Sequence, residues 1–345
     1  MQRVDARVFS GTGNSLRAAR WFAGDDGDVR MLEDPAAATL RADALLLIAS
    51  PTHGFTAPWE VVRFVSALPR GGGRRAAVLC TRAGIPLGRW HPPGLAGTAP
   101  FLIALALAVR GYRVRGARSV NMPSNWMSLH PGLSPRAVKA VLEHSEPQVQ
   151  RFSAVVRAGG RRWLTLNLAW ELIGGLALAP VSLLYLLIAS RLLGLYFFST
   201  KACSSCGQCA LACPVGAITM QGQPARPEWS TACTSCMRCM AFCPQRAIEA
   251  SWSWGLVTTL LSLVPFAAVP WLGAASPLAW VGASVASLVL SVVGLPPLTR
   301  AWWAWLGAPR VNRFFALTTP TRWYRRFREP SARLRVLAPR MRKRG

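Results

Sequence analysis

Acidic residues are scarce in this 345-residue chain. It has 14 Asp and Glu against 40 Lys and Arg, for a formal net charge of +26. Such an excess suits a polyanion or an anionic membrane surface. Histidine is scarcer still, at four, so no general acid–base pair stands out. His53 is the one candidate, through its place in a loop described below. Charge of either sign is missing from Ala250–Thr299, which has no Asp, Glu, Lys, Arg or His. A segment of that length without a polar face does not make ordinary soluble helices. The N-terminus, MQRVDARVFSGTGNS, lacks the apolar core of a secretory signal and reads as a first β-strand. The N-terminal domain is therefore expected in the cytoplasm. Cysteine is nearly absent outside two short runs, and only Cys80 stands apart. Clustered cysteines in a cytoplasmic chain point to metal rather than to disulfides.

What is present falls into five stretches: 1–160, 161–199, 200–250, 251–299 and 300–345. Residues 1–160 alternate short apolar runs with helical patterns. Strands are expected at Val4–Phe9, Val29–Leu32, Ala44–Ser50, Ala76–Cys80 and Tyr112–Val120, the last with the polar alternation of an edge. Helices are expected at Asn14–Gly24, Pro58–Leu68, Ala96–Arg110 and Ser134–Ala158. The rhythm predicts an α/β fold, a doubly wound parallel sheet. Residues 161–199 carry an uncharged stretch, Leu172–Ser190, flanked by Glu171 and Arg191. Basic residues on both flanks argue against a simple crossing, and a surface-lying or re-entrant segment is expected. Residues 251–299 divide near Gly273–Pro277 into two runs of spanning length, with Trp252, Trp254, Trp271 and Trp280 near their ends. A transmembrane helical hairpin is expected there. The tail 300–345 sets 13 Lys and Arg among tryptophans against one acid, Glu329. Beside a hairpin this marks a cytoplasmic, headgroup-facing segment; membrane lipid is the expected partner, and nucleic acid is not.

Two runs, CSSCGQCALACP and CTSCMRCMAFCP, share the pattern C-x2-C-x2-C-x3-C-P. This is the bacterial ferredoxin spacing, in which the fourth cysteine ligates the other cluster. Cys203, Cys206, Cys209 and Cys243 are then expected to hold one [4Fe–4S] centre, and Cys233, Cys236, Cys239 and Cys213 the second. Zinc sites use pairs of ligands separated by longer loops, which this spacing does not match. No histidine replaces a ligand, so low potentials are expected. Backbone N–H groups near Gly207 and Gly216 are expected to hydrogen-bond the sulfurs.

SGTGNS, Ser10–Ser15, joins the first strand to the first helix. Its glycines let successive N–H groups curl around a phosphate at a helix N-terminus, with Ser10, Thr12 and Ser15 adding hydroxyls. It is neither a Walker loop nor a G-x-G-x-x-G turn. Two further loops leave the carboxyl ends of strands expected to neighbour the first strand, where an open sheet binds its ligand. One is SPTHGFTAPW (Ser50–Trp59) and the other CTRAGIPLG (Cys80–Gly88). His53, Phe55 and Trp59 offer flat groups; Gly54 and Gly84 would admit a ring edge. Cys80 reads as a buried thiol.

VFSGTGNS and SPTHGF, followed by the doubled cysteine run, resemble the EFR-type flavodoxin–ferredoxin fusion family over about residues 1–250. The resemblance implies a flavodoxin-like FMN domain joined to a small α+β two-cluster ferredoxin. It places the FMN phosphate at Ser10, Gly11, Thr12, Gly13, Asn14 and Ser15. The flavin ring would lie near Pro51, Thr52, His53, Gly54, Phe55, Thr81 and Gly84, with Asn121–Trp126 close by. The uncharged 250–299 stretch lies outside the soluble pattern and suggests a membrane-attached branch. The expected activity is a membrane-anchored oxidoreductase at the cytoplasmic face, passing electrons between FMN, two clusters and a redox protein or quinone. A carrier, sensor or assembly factor without its own substrate is the alternative.

Overall fold

The computed structural model describes residues 2–271 and 276–339. The chain forms two compact units. The first comprises Met1–Leu187, Cys236–Ala241 and Arg325–Gly345; the second comprises Ile188–Ser235 and Phe242–Tyr324.

In the first unit five strands, β1 (Val4–Val8), β2 (Asp28–Met31), β3 (Leu45–Pro51), β4 (Arg75–Gly84) and β5 (Arg113–Pro123), pair in the order β2-β1-β3-β4-β5. All neighbours are parallel. That is the flavodoxin-like order, with its switch point between β1 and β3. Helices α1 (Asn14–Ala23), α2 (Trp59–Ala67), α3 (Ala99–Val109) and α4 (Pro135–Arg157) connect or cover the strands. The uninterrupted apolar run of β3 is buried along Leu45–Ser50, as both faces of a central parallel strand require. It packs with Phe9, Val61, Val65, Ile103 and Leu107. β5 lies at the edge, as its alternation predicts. β4 runs past Cys80 to Gly84, because the ladder with β5 continues from Thr81↔Val120 to Gly84↔Pro123. Thr81 and Gly84, expected in a loop, therefore stand on a strand.

The uncharged 172–190 stretch is not one element. Its first part belongs to α5 (Leu166–Ala177), capped by the Thr165 hydroxyl. α5 is fastened inside the first unit by Glu171, whose side chain is fully buried against Arg82. After Leu178 come α6 (Ala179–Leu184), a π turn (Tyr185–Ala189), α7 (Ser190–Leu192) and a 3-10 turn to Tyr196.

In the second unit β6 (Phe197–Ser199) pairs with β9 (Ile248–Ala250), and β7 (Ile218–Gln221) with β8 (Arg226–Trp229), both antiparallel. The short helices α8 (Gln208–Leu211) and α9 (Arg238–Phe242, largely in the first unit) lie within the two cysteine runs, each including the third cysteine of its run. Strand, cysteine run with its helix, and strand thus occur twice, the sequence repeat made structural. Helix α10 (Trp252–Trp271) is followed by a long helical rod. It is built of α11 (Pro277–Val289), a π turn (Leu290–Gly294) and α12 (Leu295–Trp305). Across the pair Ser287 Oγ donates to the Ser262 carbonyl at 2.6 Å, and Ser291 Oγ to Ser262 Oγ at 3.1 Å. Such side-chain bonds join helices where apolar surroundings supply no other polar partner. The rod outlasts the uncharged run and ends on Trp302, Trp303 and Trp305. Trp302 stacks on Trp254 at 4.8 Å. Among the described residues three segments are long and apolar enough to cross a membrane: Ala179–Tyr196, Trp252–Pro270 and Pro277–Trp305. The expected turn at Gly273–Pro277 lies largely outside the described residues.

The basic tail is partly folded. α13 (Pro309–Leu317) places Phe315 against Trp302 in the second unit. Phe327, Ala332 and Leu337, the last on α14 (Leu334–Leu337), are buried, and their segment belongs to the first unit.

Candidate metal centre and glycine turn

The two cysteine runs take the same backbone path. Left-handed residues recur at matching places, 30 positions apart in the sequence. Ser205 (φ 57°) matches Ser235 (51°), Gly207 (68°) matches Met237 (64°), and Gly216 (64°) matches Arg246 (49°). Non-glycine residues enter this region at a cost of about 1 kcal/mol or more. Met237 and Arg246 adopt it where the first copy has glycine, so the loop geometry overrides local preference. Of the expected N–H···S bonds, the one near Gly216 is present and is repeated at the matching turn of the second run. Ala217 N donates to Cys213 Sγ at 3.2 Å and Ala247 N to Cys243 Sγ at 3.3 Å. Each donor follows the left-handed residue of its turn, which aims the next N–H at the sulfur.

Three thiols of the first expected ligand set lie within electrostatic range of the fourth, Cys209. Burial pushes the Cys209 thiol up to about 11, and the charges of Cys203, Cys243 and Cys206 push in the same direction. Cys243 of the second run is thus an electrostatic neighbour of the first run's thiols, as ligand exchange requires. Four crowded thiolates repel one another unless cationic iron lies between them. Gly194 is held to glycine by this region, since a Cβ there would meet Cys233 Cβ at 2.4 Å. Among the described residues no three His, Cys, Asp or Glu side chains surround a point that one ion could occupy. A cube, with a thiolate on each of four separated irons, needs no such point. The residues fit an iron–sulfur cluster.

The glycine turn does not fit a phosphate as it stands. Ser10, Thr12 and Ser15 are 1%, 1% and 0% exposed, so they are enclosed almost wholly by protein. Their hydroxyls already have partners. Ser10 Oγ accepts from Gly13 N at 3.1 Å, Ser15 Oγ pairs with Thr81 Oγ1 at 2.9 Å, and Asn125 Nδ2 donates to Thr12 Oγ1 at 2.5 Å. Asn14 Nδ2 donates to the Pro123 carbonyl at 2.8 Å. Protein also lies directly on the glycines. A Cβ on Gly11 would stand 1.8 Å from the Cys236 carbonyl oxygen. One on Gly13 would stand 2.6 Å from Cβ of Glu329 and of Ala332. Asn125 was legible only as part of the Asn121–Trp126 segment, and nothing in the sequence pointed to Glu329 or Cys236 at this loop.

The ring-side loops are brought together around His53. Thr52 N donates to the Thr81 carbonyl at 2.9 Å, and His53 and Thr56 exchange backbone bonds. Buried Thr52 Oγ1, His53 Nδ1, Thr56 Oγ1 and Asn14 Oδ1 have no hydrogen-bond partner, which would suit a polar ligand. Yet Gly54 and Gly84 admit protein rather than a ring edge. Tyr185 Cγ would lie 2.2 Å from a Cβ on Gly54, and Asn121 Cβ 2.9 Å from one on Gly84. Trp59 Nε1 donates to the Leu186 carbonyl at 2.9 Å. Phe55 and Trp59 remain about one-third exposed, at 36% and 37%. Pro51 at the end of β3 is half-buried. Burial lowers the His53 imidazole to about 4, so it is neutral at pH 7 and cannot act there as a general acid. Cys80 is the buried thiol expected, its pKa raised by the same cause.

Residues 202–248 match the family of 4Fe-4S dicluster domains. No curated protein matches the chain. Among solved structures the chain is similar to a flavodoxin from the domain Archaea. That match has 16% identity, covers 44% of this chain and 99% of the other, and has a TM-score of 0.28. It is also similar to the Trp repressor binding protein of Bacillus subtilis. There the identity is 13%, the coverage 43% and 96%, and the TM-score 0.30. The chain therefore joins a flavodoxin-like α/β domain, an iron–sulfur domain and helices able to span a membrane, and this combination supports a role in electron transfer.

Proposed function

We propose that this protein is a membrane-attached electron-transfer protein. It carries two [4Fe–4S] clusters on the cytoplasmic side and exchanges electrons with a quinone or a redox protein at the membrane. The observation that carries the proposal is the doubled cysteine framework, with its matched left-handed turns and with Cys243 among the thiols of the other run. Such clusters move one electron at a time, at potentials tuned by N–H···S bonds of the kind Ala217 and Ala247 make. The proposed route needs no flavin on the first domain, whose glycine turn is abutted by the chain's own Cys236, Glu329 and Ala332.

Topology follows from chain continuity. Residues 10–33, Cys236–Ala241 and Arg325–Leu337 all belong to the first unit and so lie on one side of a bilayer. An even number of crossings must separate each from the next. This favours a paired crossing by Trp252–Pro270 and Pro277–Trp305, and against a single crossing by Ala179–Tyr196. The last segment then lies in the interface or dips in and returns. The basic tail beyond Arg300 sits on the side that arginine-rich segments prefer.

Anaerobic purification in detergent should yield a brown protein with about eight iron and eight sulfide per chain. Dithionite should produce an EPR signal of reduced cubes. Zinc in place of iron would overturn the proposal. In sealed vesicles with the cytoplasmic face inward, a cysteine introduced at Ser276 should react with an impermeant maleimide. One introduced at Arg70, in the first domain, should not. Reaction at both positions or at neither would contradict the topology.

A further inference from the structure

We propose that the glycine turn Ser10–Ser15 is a seat for the second cysteine run, and that it positions Cys236 and Cys239 for their cluster instead of gripping a nucleotide phosphate. The inference rests on the iron–sulfur reading above. Three independent contacts carry it.

The first is steric. Gly11 has no left-handed φ to demand glycine. What demands it is the Cys236 carbonyl oxygen, 1.8 Å from where a Cβ would stand, with Cys236 Cβ at 3.2 Å. Backbone therefore passes over backbone at a distance only glycine permits. The second is electrostatic. Arg238, two residues beyond Cys236, is 1% exposed. Its guanidinium donates to the Ser10 carbonyl at 2.9 Å and to Glu33 Oε1 at 2.8 Å. The Glu33 side chain is itself only 6% exposed. A buried arginine that spans the turn and a carboxylate just past β2 fixes the run in one orientation, because its planar fork accepts few geometries.

The third contact closes the opposite flank. Glu329 N donates to the Thr12 carbonyl at 2.8 Å, and Glu329 Cβ abuts Gly13. The Glu329 carboxylate meets Arg17 Nε at 2.5 Å and accepts from the Ser331 hydroxyl at 2.5 Å. Glu329 is the one acid of the tail and is 1% exposed. The turn is thus clasped between a cysteine run and a strap from the far end of the chain. Its hydroxyls, which could have faced a phosphate, bond instead to Gly13, Asn125 and Thr81 and stiffen it.

The test uses the full-length protein in detergent under anaerobic conditions, with Gly11→Ala and Glu33→Gln as variants. Iron, sulfide and flavin are measured per chain, and dithionite-reduced EPR spectra are recorded. The wild type should contain less than about 0.1 flavin per chain, and added FMN should keep its free fluorescence. Gly11→Ala should lose roughly half the iron, with one cube's EPR signal surviving and the broadening from a neighbouring paramagnet gone. Glu33→Gln, the milder change and the safeguard should Gly11→Ala fail to fold, should shift or partly bleach the same signal. Full iron with unaltered spectra in both variants would overturn the seat, as would one FMN per wild-type chain. A wild type without iron would instead refute the underlying iron–sulfur reading, so the two failures are distinguishable.

Discussion

Cys243→Ala should remove the same cluster as Cys206→Ala, although the two cysteines belong to different runs. Each single variant should retain roughly half the iron and sulfide of the wild type. The pairing shows in the double variants. Cys206→Ala with Cys243→Ala should lose no more iron than either alone, because both residues serve one centre and their effects do not add. Cys236→Ala with Cys243→Ala should lose nearly all of it. The physical basis is that Cys209 has Cys203, Cys206 and Cys243 as charged neighbours. In addition, the Ala247 N–H, on the turn after the second run, is aimed at Cys243 Sγ. If each run held its own four cysteines around its own cluster, the outcomes of the two doubles would be reversed. Iron and sulfide assays on anaerobic detergent preparations, with EPR to identify the surviving signal, separate the two cases.

The parts of this molecule that follow local rules were legible in the sequence. The apolar run at β3 forms the central strand, the polar alternation at β5 marks the edge, and the pairings are parallel as the βαβ rhythm implies. The doubled cysteine spacing is matched by a doubled backbone path, because tight turns leave the chain few ways to present three thiolates together. The sequence could not show which segments return to the first domain from far along the chain. Cys236 over Gly11, Arg238 on Glu33 and Glu329 at Gly13 are contacts between positions 205 to 316 residues apart. No periodicity encodes them. SGTGNS has the composition of a turn that can wrap an anion, but such a turn also accepts a close-passing backbone. Glycine content alone does not distinguish the two uses. The uncharged stretch after Glu171 shows the same limit. Composition shows that a segment avoids water without showing whether lipid or protein covers it, and α5 is anchored by protein.

Glu171 supplies that anchor, and its removal should be the most destabilising single change outside the cysteines. The carboxylate is fully buried. It accepts from Arg82 Nη1, itself 6% exposed, and from the backbone N–H groups of Ala96 at 2.7 Å and Gly97 at 2.8 Å. Burial lowers the Arg82 pKa while Glu171 raises it. Without the carboxylate, the guanidinium would remain desolvated and unopposed, and two N–H groups would lose their acceptor. Breaking such a pair costs about 3–5 kcal/mol. For Glu171→Ala the melting temperature in detergent should accordingly fall by on the order of 10 °C. Glu171→Gln keeps an acceptor for the N–H groups and should fall less. The decisive variant replaces both partners, Arg82→Met with Glu171→Leu, since the cost lies in the orphaned charge rather than in the absence of a bond. The double variant should therefore melt above Glu171→Ala, even though it lacks one more native side chain. A double variant no more stable than Glu171→Ala would show that α5 is held by its surroundings and that the ion pair contributes little.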